Sequence, residues 1–259
     1  MRENVAIVKV PCQGTSCITT NQVWPTFGIL KKNIDLRLTE LMKKMSNDEN
    51  EVYSYVIRTI DYKGGRFDQS GSAPNFQGDI ISLCTCKHYM RTFRNEKEWI
   101  GQWIAGFMGK NKIDNDEANY LVYLMKVQHA AESFSDLWYW MERNKLIKTQ
   151  QAKSATIHPS GDMFEPMHEL RGKDRYISKF YVEPNEDHTH RGTSSTSCKK
   201  KEWQTDDIEC KIKGRRPFLL VGNPHLSFLW RRPLILLNET VPRHCRKDSI
   251  PVFSSLLSQ

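Results

Sequence analysis

Three aspartates lie in or beside a glycine- and serine-rich stretch at residues 61–77, namely Asp61, Asp68 and Asp79. A carboxylate in such a loop has the chemistry for acid–base work or for accepting a hydrogen bond from a base edge. Loops also use aspartate simply to form turns. Asp68 and Asp79 are therefore the candidate general acid or base, with turn formation as the alternative.

The motif Cys84-Thr-Cys86 offers sulfur chemistry. Cys84 falls in an apolar run and is predicted to be buried and inert. Cys86 precedes Lys87 and His88, whose positive charge would lower the pKa of its thiol. No orienting partner is close in sequence, so packing is favoured over a nucleophilic role. Glycine-rich phosphate loops, Gly-x-Ser-x-Gly elbows and His-Glu-x-x-His motifs are absent from the sequence.

The seven cysteines are an odd number without regular spacing, which predicts reduced thiols in a cytosol-like compartment. Two sets of residues have metal-ligand chemistry: Cys12 with Cys17, and His188, His190, Cys198 with Cys210. Neither set has the spacing of a common zinc site. The sequence therefore predicts no metal and no cofactor.

Aromatic residues interleaved with basic ones are the more suggestive pattern. Arg91 and Arg94 lie among a series of rings at Phe67, Phe76, Tyr89, Phe93, Trp99 and Trp103. Aromatic faces stack on bases while arginines hold phosphates, which is how single-stranded or flipped bases are bound. The alternative is that Trp103 and one phenylalanine belong to the core. Two or three of the six rings are expected to be exposed.

Positive charge is segregated along the chain, whose formal net charge is +8. Residues 211–247 contain one acidic side chain and nine basic ones: Lys211, Lys213, Arg215, Arg216, Arg231, Arg232, Arg243, Arg246 and Lys247. A second basic cluster spans residues 87–112. Such segregation predicts a polyanionic partner, most simply a nucleic acid, with a solvated basic face as the alternative.

The 259 residues suffice for one large domain with additions, and no apolar run is long enough to span a membrane. Periodicity predicts a helix near 34–46 and another from Ser133 to about 146. Predicted strands cover 52–60, 80–84, 103–107, 120–127, 217–222, 226–230 and 234–237. Because strands and helices do not alternate, the pattern favours an α+β protein: a small, partly closed mixed or antiparallel barrel with peripheral helices and long loops.

A series of motifs resembles the nucleotide modification associated domain 2 family. The motifs are Tyr53-Ser-Tyr-Val-Ile-Arg58, Phe67-Asp68, Ala73-Pro-Asn75, Leu83-Cys-Thr-Cys-Lys87, Gly101-Gln-Trp-Ile-Ala-Gly106, Leu121-Val-Tyr-Leu-Met-Lys-Val127 and Ser133-Phe-Ser-Asp-Leu-Trp138. Two positions depart from the family pattern, Gln102 for an aspartate and His88 for a proline. The resemblance assigns residues 52–240 to the family domain, with a flexible insertion at about 185–210. It leaves residues 1–51 as an extension with one helix and residues 241–259 as a loose tail.

The family is associated with DNA-modification systems of phages and bacteria, and the strand order is also similar to PUA-like barrels that read modified bases or RNA. The resemblance thus implies a binding module for nucleic acid or modified nucleotides, with DNA the expected ligand rather than RNA. It implies a cytoplasmic protein, or one in the host-cell cytoplasm if phage-encoded, with no membrane partner. The alternatives are a nucleotide- or base-modifying enzyme and a protein-docking subunit of a modification or phage-defence system.

The predicted pocket comprises Tyr55, Arg58, Asp68, Asn75, Lys87, Arg91 and Trp103. Arg58, Lys87 and Arg91 are expected to meet phosphate or a base edge. Asn75 is expected to hydrogen-bond a base, and Trp103 to stack on it or form the pocket floor.

Overall fold

A computed structural model of the chain describes residues 24–259 except 26, 47, 70, 72, 110, 114–115, 186–187, 189–205, 240 and 242–244. Most of the expected N-terminal extension and much of the expected insertion lie outside the described residues. So do Cys12, Cys17, His190 and Cys198 of the candidate metal sets.

The described chain is a mixture of helices and strands. The helices are α1 (Leu38–Met45), α2 (His88–Arg91), α3 (Glu96–Trp99), α4 (Phe134–Arg143), α5 (Ile147–Lys153) and α6 (Ile250–Ser255). The strands are β1 (Glu51–Ile57), β2 (Ile60–Lys63), β3 (Arg66–Gln69), β4 (Ser82–Leu83), β5 (Trp103–Met108), β6 (Asn111–Ile113), β7 (Asp116–Ala131), β8 (Leu219–Leu229), β9 (Leu236–Leu237), β10 (Arg246–Ser249) and β11 (Leu257–Ser258). Short 3₁₀ turns cover Leu30–Asn33, Gly172–Tyr176 and Ser178–Phe180.

One mixed sheet organises the molecule and curls into a half-barrel. Its strand order is β10-β1-β5-β7-β8-β4, with β6 and β9 paired to β7 and β11 paired to β9. Strands β1 and β5 run parallel, and the other pairs are antiparallel. The prediction of an α+β protein is confirmed. The two ends of the path, β10 and β4, are not paired with each other in the described chain, so the sheet is open between these two strands.

The central strands form because their sequences are apolar on both faces. Every residue of β5 is buried, as expected for a strand covered on both sides. At Gly106 a Cβ atom would lie 2.2 Å from the Tyr123 ring, so only glycine permits the close approach of β5 to β7 there. The pairing register shifts at this point, between Gly106 and Phe107.

Two hydrophobic cores flank the sheet. The larger one joins β1, β5 and β7 with α1 and α6. The smaller one lies under α4 and includes Cys84, Ala155 and Met163. Helix α4 begins where predicted, because the Ser133 hydroxyl accepts a hydrogen bond from the Asp136 N–H group. This smaller core borders a group of buried polar side chains described below.

The expected loop at 61–77 contains a hairpin instead. Strands β2 and β3 pair around Gly64 and Gly65, which both have positive φ angles of 57° and 79°. Two such residues allow a tight hairpin turn, and burial of Ile60 and Phe67 holds the hairpin against the core. The glycines that were interpreted as loop signals are therefore turn residues within regular structure.

The strands predicted at 217–222 and 226–230 are one strand, β8. Its pairing with β7 jumps from Gly222 to Ser227, so the Asn-Pro-His segment between them is accommodated as an irregularity rather than as a chain reversal. The peptide oxygen of Pro224 accepts a hydrogen bond from Asn33 Nδ2 at 3.0 Å. That contact anchors the irregular segment to the 3₁₀ turn before α1.

The expectation of a loose C-terminal tail is wrong. Strand β10 pairs with β1, and β11 pairs with β9. Phe253 of α6 is fully buried and packs edge-on against Phe107. Apolar burial at 250, 253 and 257 gives the terminal segment a place in the larger core, which the basic composition around residue 246 did not suggest. Within the described residues, no helix combines the length and apolarity needed to cross a bilayer.

Candidate nucleic-acid interface

An open cleft of about 760 Å³ lies between two stretches that are far apart in sequence. We call it the basic cleft. Its lining comprises Thr92, Phe93, Arg94, Asn95, Glu98, Glu132, Tyr176, Lys211, Gly214, Arg215, Arg216 and Phe218. One wall is the connection between α2 and α3, and the other is the segment that leads into β8. A cavity of this size accommodates a ligand of nucleotide dimensions.

The acidic side chains of the basic cleft already have partners. The Glu98 carboxylate accepts a hydrogen bond from the Asn95 N–H group at 2.9 Å in a capping box at the start of α3. The Glu132 carboxylate accepts hydrogen bonds from Arg175 Nη2 and from the Tyr176 hydroxyl, both at 3.2 Å. The Glu132 charge is therefore paired with Arg175, and the Glu98 carboxylate is held in the capping box, before any ligand arrives.

The cations of the opposite wall are not neutralised in this way. No ion pair among the described residues involves Lys211, Arg215 or Arg216. Lys211 and Arg215 are exposed. Arg94, the cation of the other wall, differs because its guanidinium bonds to the Glu51 carboxylate and the Tyr53 hydroxyl. The basic cleft thus presents three cations without a carboxylate partner in the described chain.

A tight turn positions those cations. Ile212 and Arg215 exchange two backbone hydrogen bonds, of 2.8 and 3.0 Å, around Lys213 and Gly214. Both central residues have positive φ, 51° for Lys213 and 80° for Gly214. Positive φ at both positions is the signature of a two-residue hairpin turn. This short, doubly bonded turn holds Ile212 opposite Arg215, and Lys211 and Arg216 are the next residues outward from that pair.

Arg91 joins the two walls from below. Its side chain is fully buried, with Nε donating to the Cys86 carbonyl and Nη1 to the Phe218 carbonyl, each at 2.7 Å. The backbone adds a bond from the Phe218 N–H group to the Arg91 carbonyl, at 3.2 Å. A buried guanidinium with two carbonyl acceptors positions the wall at Phe218 against α2, so Arg91 shapes the basic cleft without lining it.

Exposed aromatic rings continue the basic cleft outward. Phe93 and Tyr89 are 41% and 49% exposed, and their ring centroids lie 5.1 Å apart with the planes at 88°. The Lys213 ammonium lies 5.9 Å from the Tyr89 centroid. Inside the basic cleft, the Arg216 guanidinium lies 3.7 Å from the centroid of Tyr176. Rings and cations therefore alternate along this surface.

A second polar group lies in the interior, and we call it the interior polar cluster. It comprises Asn75, Gln77, Ser82, Lys153, Ser160 and Asp162, all nearly or fully buried. Lys153 Nζ donates to the backbone oxygen and to Oδ1 of Asn75, at 2.9 and 3.1 Å. The Ser82 hydroxyl donates to the Asp162 carboxylate at 2.9 Å. These bonds tie residues 75–82 to the C-terminal end of α5.

Burial shifts the titration of both charged members of the interior polar cluster. Desolvation lowers the pKa of Lys153 to about 8, against the opposing effect of the Asp162 charge. Desolvation raises the pKa of Asp162 to about 6, although Lys153, Ser82 and Cys84 act in the opposite direction. Strongly shifted values of this kind occur at catalytic sites and also in structural networks. Here Lys153 bonds to Asn75 and Asp162 bonds to Ser82, so both charged groups are bonded within the interior polar cluster.

The comparisons with known proteins bear on the whole arrangement. The profile of the nucleotide modification associated domain 2 family matches residues 49–208. The chain belongs to this family. Comparison with curated proteins and with solved structures gives no match.

The family match covers one wall of the basic cleft and not the other. Residues 92–98, Glu132 and Tyr176 lie inside the matched region of the nucleotide modification associated domain. The wall at 211–218 lies beyond it, as do β8 and the C-terminal strands. The basic cleft therefore combines the family domain with a segment outside the match. The interior polar cluster lies wholly within the family domain.

Three of the seven predicted pocket residues lie near one another in this family domain. The Lys87 ammonium lies 4.9 Å from the Tyr55 ring centroid. Burial lowers the pKa of Lys87, and the Arg58 charge acts in the same direction. Tyr55 itself is fully buried and shares a 2.8 Å hydrogen bond with the Tyr123 hydroxyl. Only Arg58 of the three is exposed.

The other four are separated. Asn75 belongs to the interior polar cluster and Arg91 lies beneath the basic cleft. Asp68 lies on the β2–β3 hairpin, where it pairs with Lys63 at 3.5 Å. Trp103 is fully buried, donates to the Asp48 carboxylate at 3.1 Å and stacks on Phe228, which is the core alternative rather than an exposed stacking surface.

Two residues singled out for chemistry have structural surroundings. The Asp79 carboxylate accepts a hydrogen bond from the Leu30 N–H group at 2.9 Å and fixes the 3₁₀ turn that begins there. The expectation of a lowered thiol pKa at Cys86 is wrong, because burial raises it to about 11 despite the nearby charges of Arg91 and Lys87. The packing role that was favoured for Cys86 agrees with this value. Gln102, one of the departures from the family pattern, accepts a hydrogen bond from the Glu51 N–H group at 3.0 Å.

The number of exposed aromatic rings agrees with the prediction from the sequence. The cations of the basic cleft were predicted only in part. Of the six predicted rings, Tyr89 and Phe93 are exposed and the other four are buried, which confirms the expected number. Lys211, Arg215 and Arg216 stood in the predicted basic cluster but not in the predicted pocket. The Gly214 turn signal next to them was available in the sequence. No local pattern marks Lys153 and Asp162, which meet only through the tertiary fold.

Proposed function

We propose that this member of the nucleotide modification associated domain 2 family binds nucleic acid in the basic cleft, as a recognition module of a DNA-modification system. The observation that carries the proposal is a set of three cations, which have no carboxylate partner among the described residues, beside two exposed rings. Phosphates are the ligands for Lys211, Arg215 and Arg216. A base stacks on Phe93.

The proposal moves the phosphate contacts from the buried Arg91 to exposed cations. Arg91 is fully buried and two of its guanidinium nitrogens donate to carbonyl oxygens, whereas Lys211 and Arg215 are exposed to solvent. Binding through them releases counterions condensed on the nucleic acid, so the affinity depends on salt. DNA rather than RNA is the expected ligand because of the family's association with DNA modification.

The alternative of an acid–base enzyme receives less support from the described residues. Asp68 and Asp79 do not line the basic cleft, and each has a partner of its own. Asp162 is buried in the interior polar cluster and bonded to Ser82. A binding module requires none of these carboxylates to face a ligand.

The test measures binding of fluorescent single-stranded DNA and RNA over a salt series, for the full chain and two double variants. Lys211→Ala with Arg215→Ala removes two cations of the basic cleft. Lys31→Ala with Lys32→Ala removes the same charge from exposed positions outside it. We expect the first pair to weaken binding and to reduce the slope of log affinity against log salt by about 1.4, the value for two phosphate contacts on a single strand.

The Lys31→Ala, Lys32→Ala variant is the control, because it loses the same charge outside the basic cleft. Unchanged affinity and slope in the Lys211→Ala, Arg215→Ala protein would refute the proposed site. Equal losses in both double variants would indicate a diffuse basic face, which was the alternative from composition. The thermal midpoint of each variant is measured alongside, because all four positions are exposed and their replacement should leave folding intact.

We further propose that the ligand carries a modified base and that the curled sheet is of the PUA type. The mixed sheet and the adjoining cleft support this assignment by analogy only, since folds of this kind host several functions. Competition between modified and unmodified oligonucleotides at high salt tests it. A preference that persists when the phosphate contribution is screened is the expected result, and equal competition would contradict it.

A further inference from the structure

We propose that the basic cleft takes a single strand of at least two nucleotides, with successive bases turned apart onto Phe93 and Tyr89. This inference rests on the proposed function and specifies its ligand. The observation is the geometry of the two exposed rings and the cations beside each of them.

The rings select for an unpaired strand. In a duplex both faces of every base pair are covered by the neighbouring pairs, so an aromatic side chain stacks only on a base that is unpaired or flipped out. Duplex readers instead insert a protruding helix or ribbon into the major groove. Here the cations line a recess, between the α2–α3 connection and the turn at 212–215.

The angle between the rings selects for a turned strand. Tyr89 and Phe93 lie at 88° with their centroids 5.1 Å apart, and both remain substantially exposed. Bases stacked on two perpendicular rings are perpendicular to each other. A continuous helical stack of bases does not fit both rings, so the strand changes direction between the two bases.

Two cations, Lys213 and Arg215, lie near the two rings and can contact the phosphate that joins the two bases. Lys213 lies over Tyr89, and Arg215, two residues along the same turn, lines the basic cleft beside Phe93. Lys213 has a φ of 51°, a conformation that costs energy for any residue other than glycine, asparagine or aspartate. A lysine at this position places its ammonium over the Tyr89 ring, 5.9 Å from the centroid.

The first experiment compares thymidine oligomers from mononucleotide to octamer with a duplex of the same length, using the full chain. We expect affinity to rise from mononucleotide to dinucleotide and the single strand to bind at least about 10-fold more tightly than the duplex. Tyr89→Leu and Phe93→Leu should each weaken single-strand binding by about 10-fold, in the range measured for loss of one stacked base. Phe27→Leu, at an exposed ring outside the basic cleft, is the matched control and should change nothing.

The second experiment reads the bend directly. Circular dichroism of two adjacent aminopurine bases reports whether they are stacked on each other, and we expect the coupled signal to disappear on binding. Retention of that signal, or equal affinity for duplex and single strand, would overturn the inference while the Lys211 and Arg215 variants still uphold the proposed function. Failure of every oligomer to bind would overturn both.

Discussion

The basic cleft and the interior polar cluster are both groups of charged and polar side chains that could form a functional site. They differ in the burial of their charged side chains and in the partners of those charges. In the interior polar cluster, Lys153 and Asp162 are fully buried and each is bonded to a polar neighbour. In the basic cleft, Lys211 and Arg215 are exposed and have no carboxylate partner among the described residues. Shifted pKa values mark the first group and accessible charge marks the second.

The contrast teaches that a perturbed pKa and a binding site need not coincide. Desolvation outweighs the opposing charges and hydrogen bonds in shifting the pKa of Lys153 and Asp162, and their bonds to Asn75 and Ser82 give each charge a structural function. Unpaired cations at a surface destabilise the folded chain very little. They contribute to affinity when an anion binds. Stability should therefore depend on the interior polar cluster and ligand affinity on the basic cleft.

The largest effect is expected from Lys153→Met. The change removes one of the two donors to each acceptor oxygen of Asn75 and removes the positive charge near Asp162, so unfolding should become easier by about 3–5 kcal/mol. Denaturant titration measures this. At a temperature where the variant is folded, its oligonucleotide affinity should equal that of the parent chain. A Lys153→Met protein that is stable but no longer binds oligonucleotide would show that the interior polar cluster serves binding rather than stability.

Arg91→Lys should affect both properties, because Arg91 connects the wall of the basic cleft to α2. A lysine cannot bond to the Cys86 and Phe218 carbonyls together in the geometry of the guanidinium fork. We expect a loss of about 2–4 kcal/mol in the free energy of unfolding, from a buried acceptor left unsatisfied, together with weaker binding. Unchanged stability with weaker binding would instead make Arg91 a direct phosphate ligand, as the sequence suggested.

The pH dependence of stability sharpens the comparison further. The pKa of Asp162 is raised from 3.8 to about 6 on folding, so this carboxyl binds more protons in the folded chain between these values and its contribution to stability should fall as pH rises through them. The pKa of Lys153 is lowered from 10.5 to about 8, so the contribution of Lys153 to stability should rise with pH between about 8 and 10.5. Asp162→Asn should remove the first slope and Lys153→Met the second. Denaturant titrations of the parent chain and of each variant at several pH values measure how the free energy of unfolding changes with pH. A difference between parent and variant of the opposite sign would contradict the pKa shift assigned to that residue.

The smallest effect concerns Cys86. Because burial raises the pKa of its thiol to about 11, alkylation near neutral pH should be slower in the folded chain than in denaturant. Mass spectrometry of the labelled peptide gives the rate. Rapid alkylation in the folded state would restore Cys86 as a candidate nucleophile.

The sequence predicted best what local patterns determine. Helix α4 and its Ser133 cap depend on neighbours within one turn, and the apolar runs of β5 and β7 are long enough to specify buried strands. The β2–β3 hairpin was missed because Gly64 and Gly65 suit both a loop and a tight turn. The terminal strand β10 was missed because its pairing partner, β1, lies almost 200 residues away.

The residues of the candidate site were predicted by type more successfully than by position. Tyr89, Phe93 and the basic segment at 211–216 were all recognised from composition, yet nothing in the sequence placed them on the same cleft. Conversely, Arg91 and Trp103 have the right side chains for ligand contact and are buried. Burial depends on the whole fold, which spacing within a short motif does not determine.

Hydrogen–deuterium exchange of the full chain, with and without a single-stranded oligonucleotide, tests the central claim most directly. Slower exchange should appear at residues 92–98 and 211–218, the two walls of the basic cleft. Residues 75–82 and 153–162, which carry the interior polar cluster, should be unchanged. Protection confined to the interior polar cluster, with none on the two walls, would contradict the account.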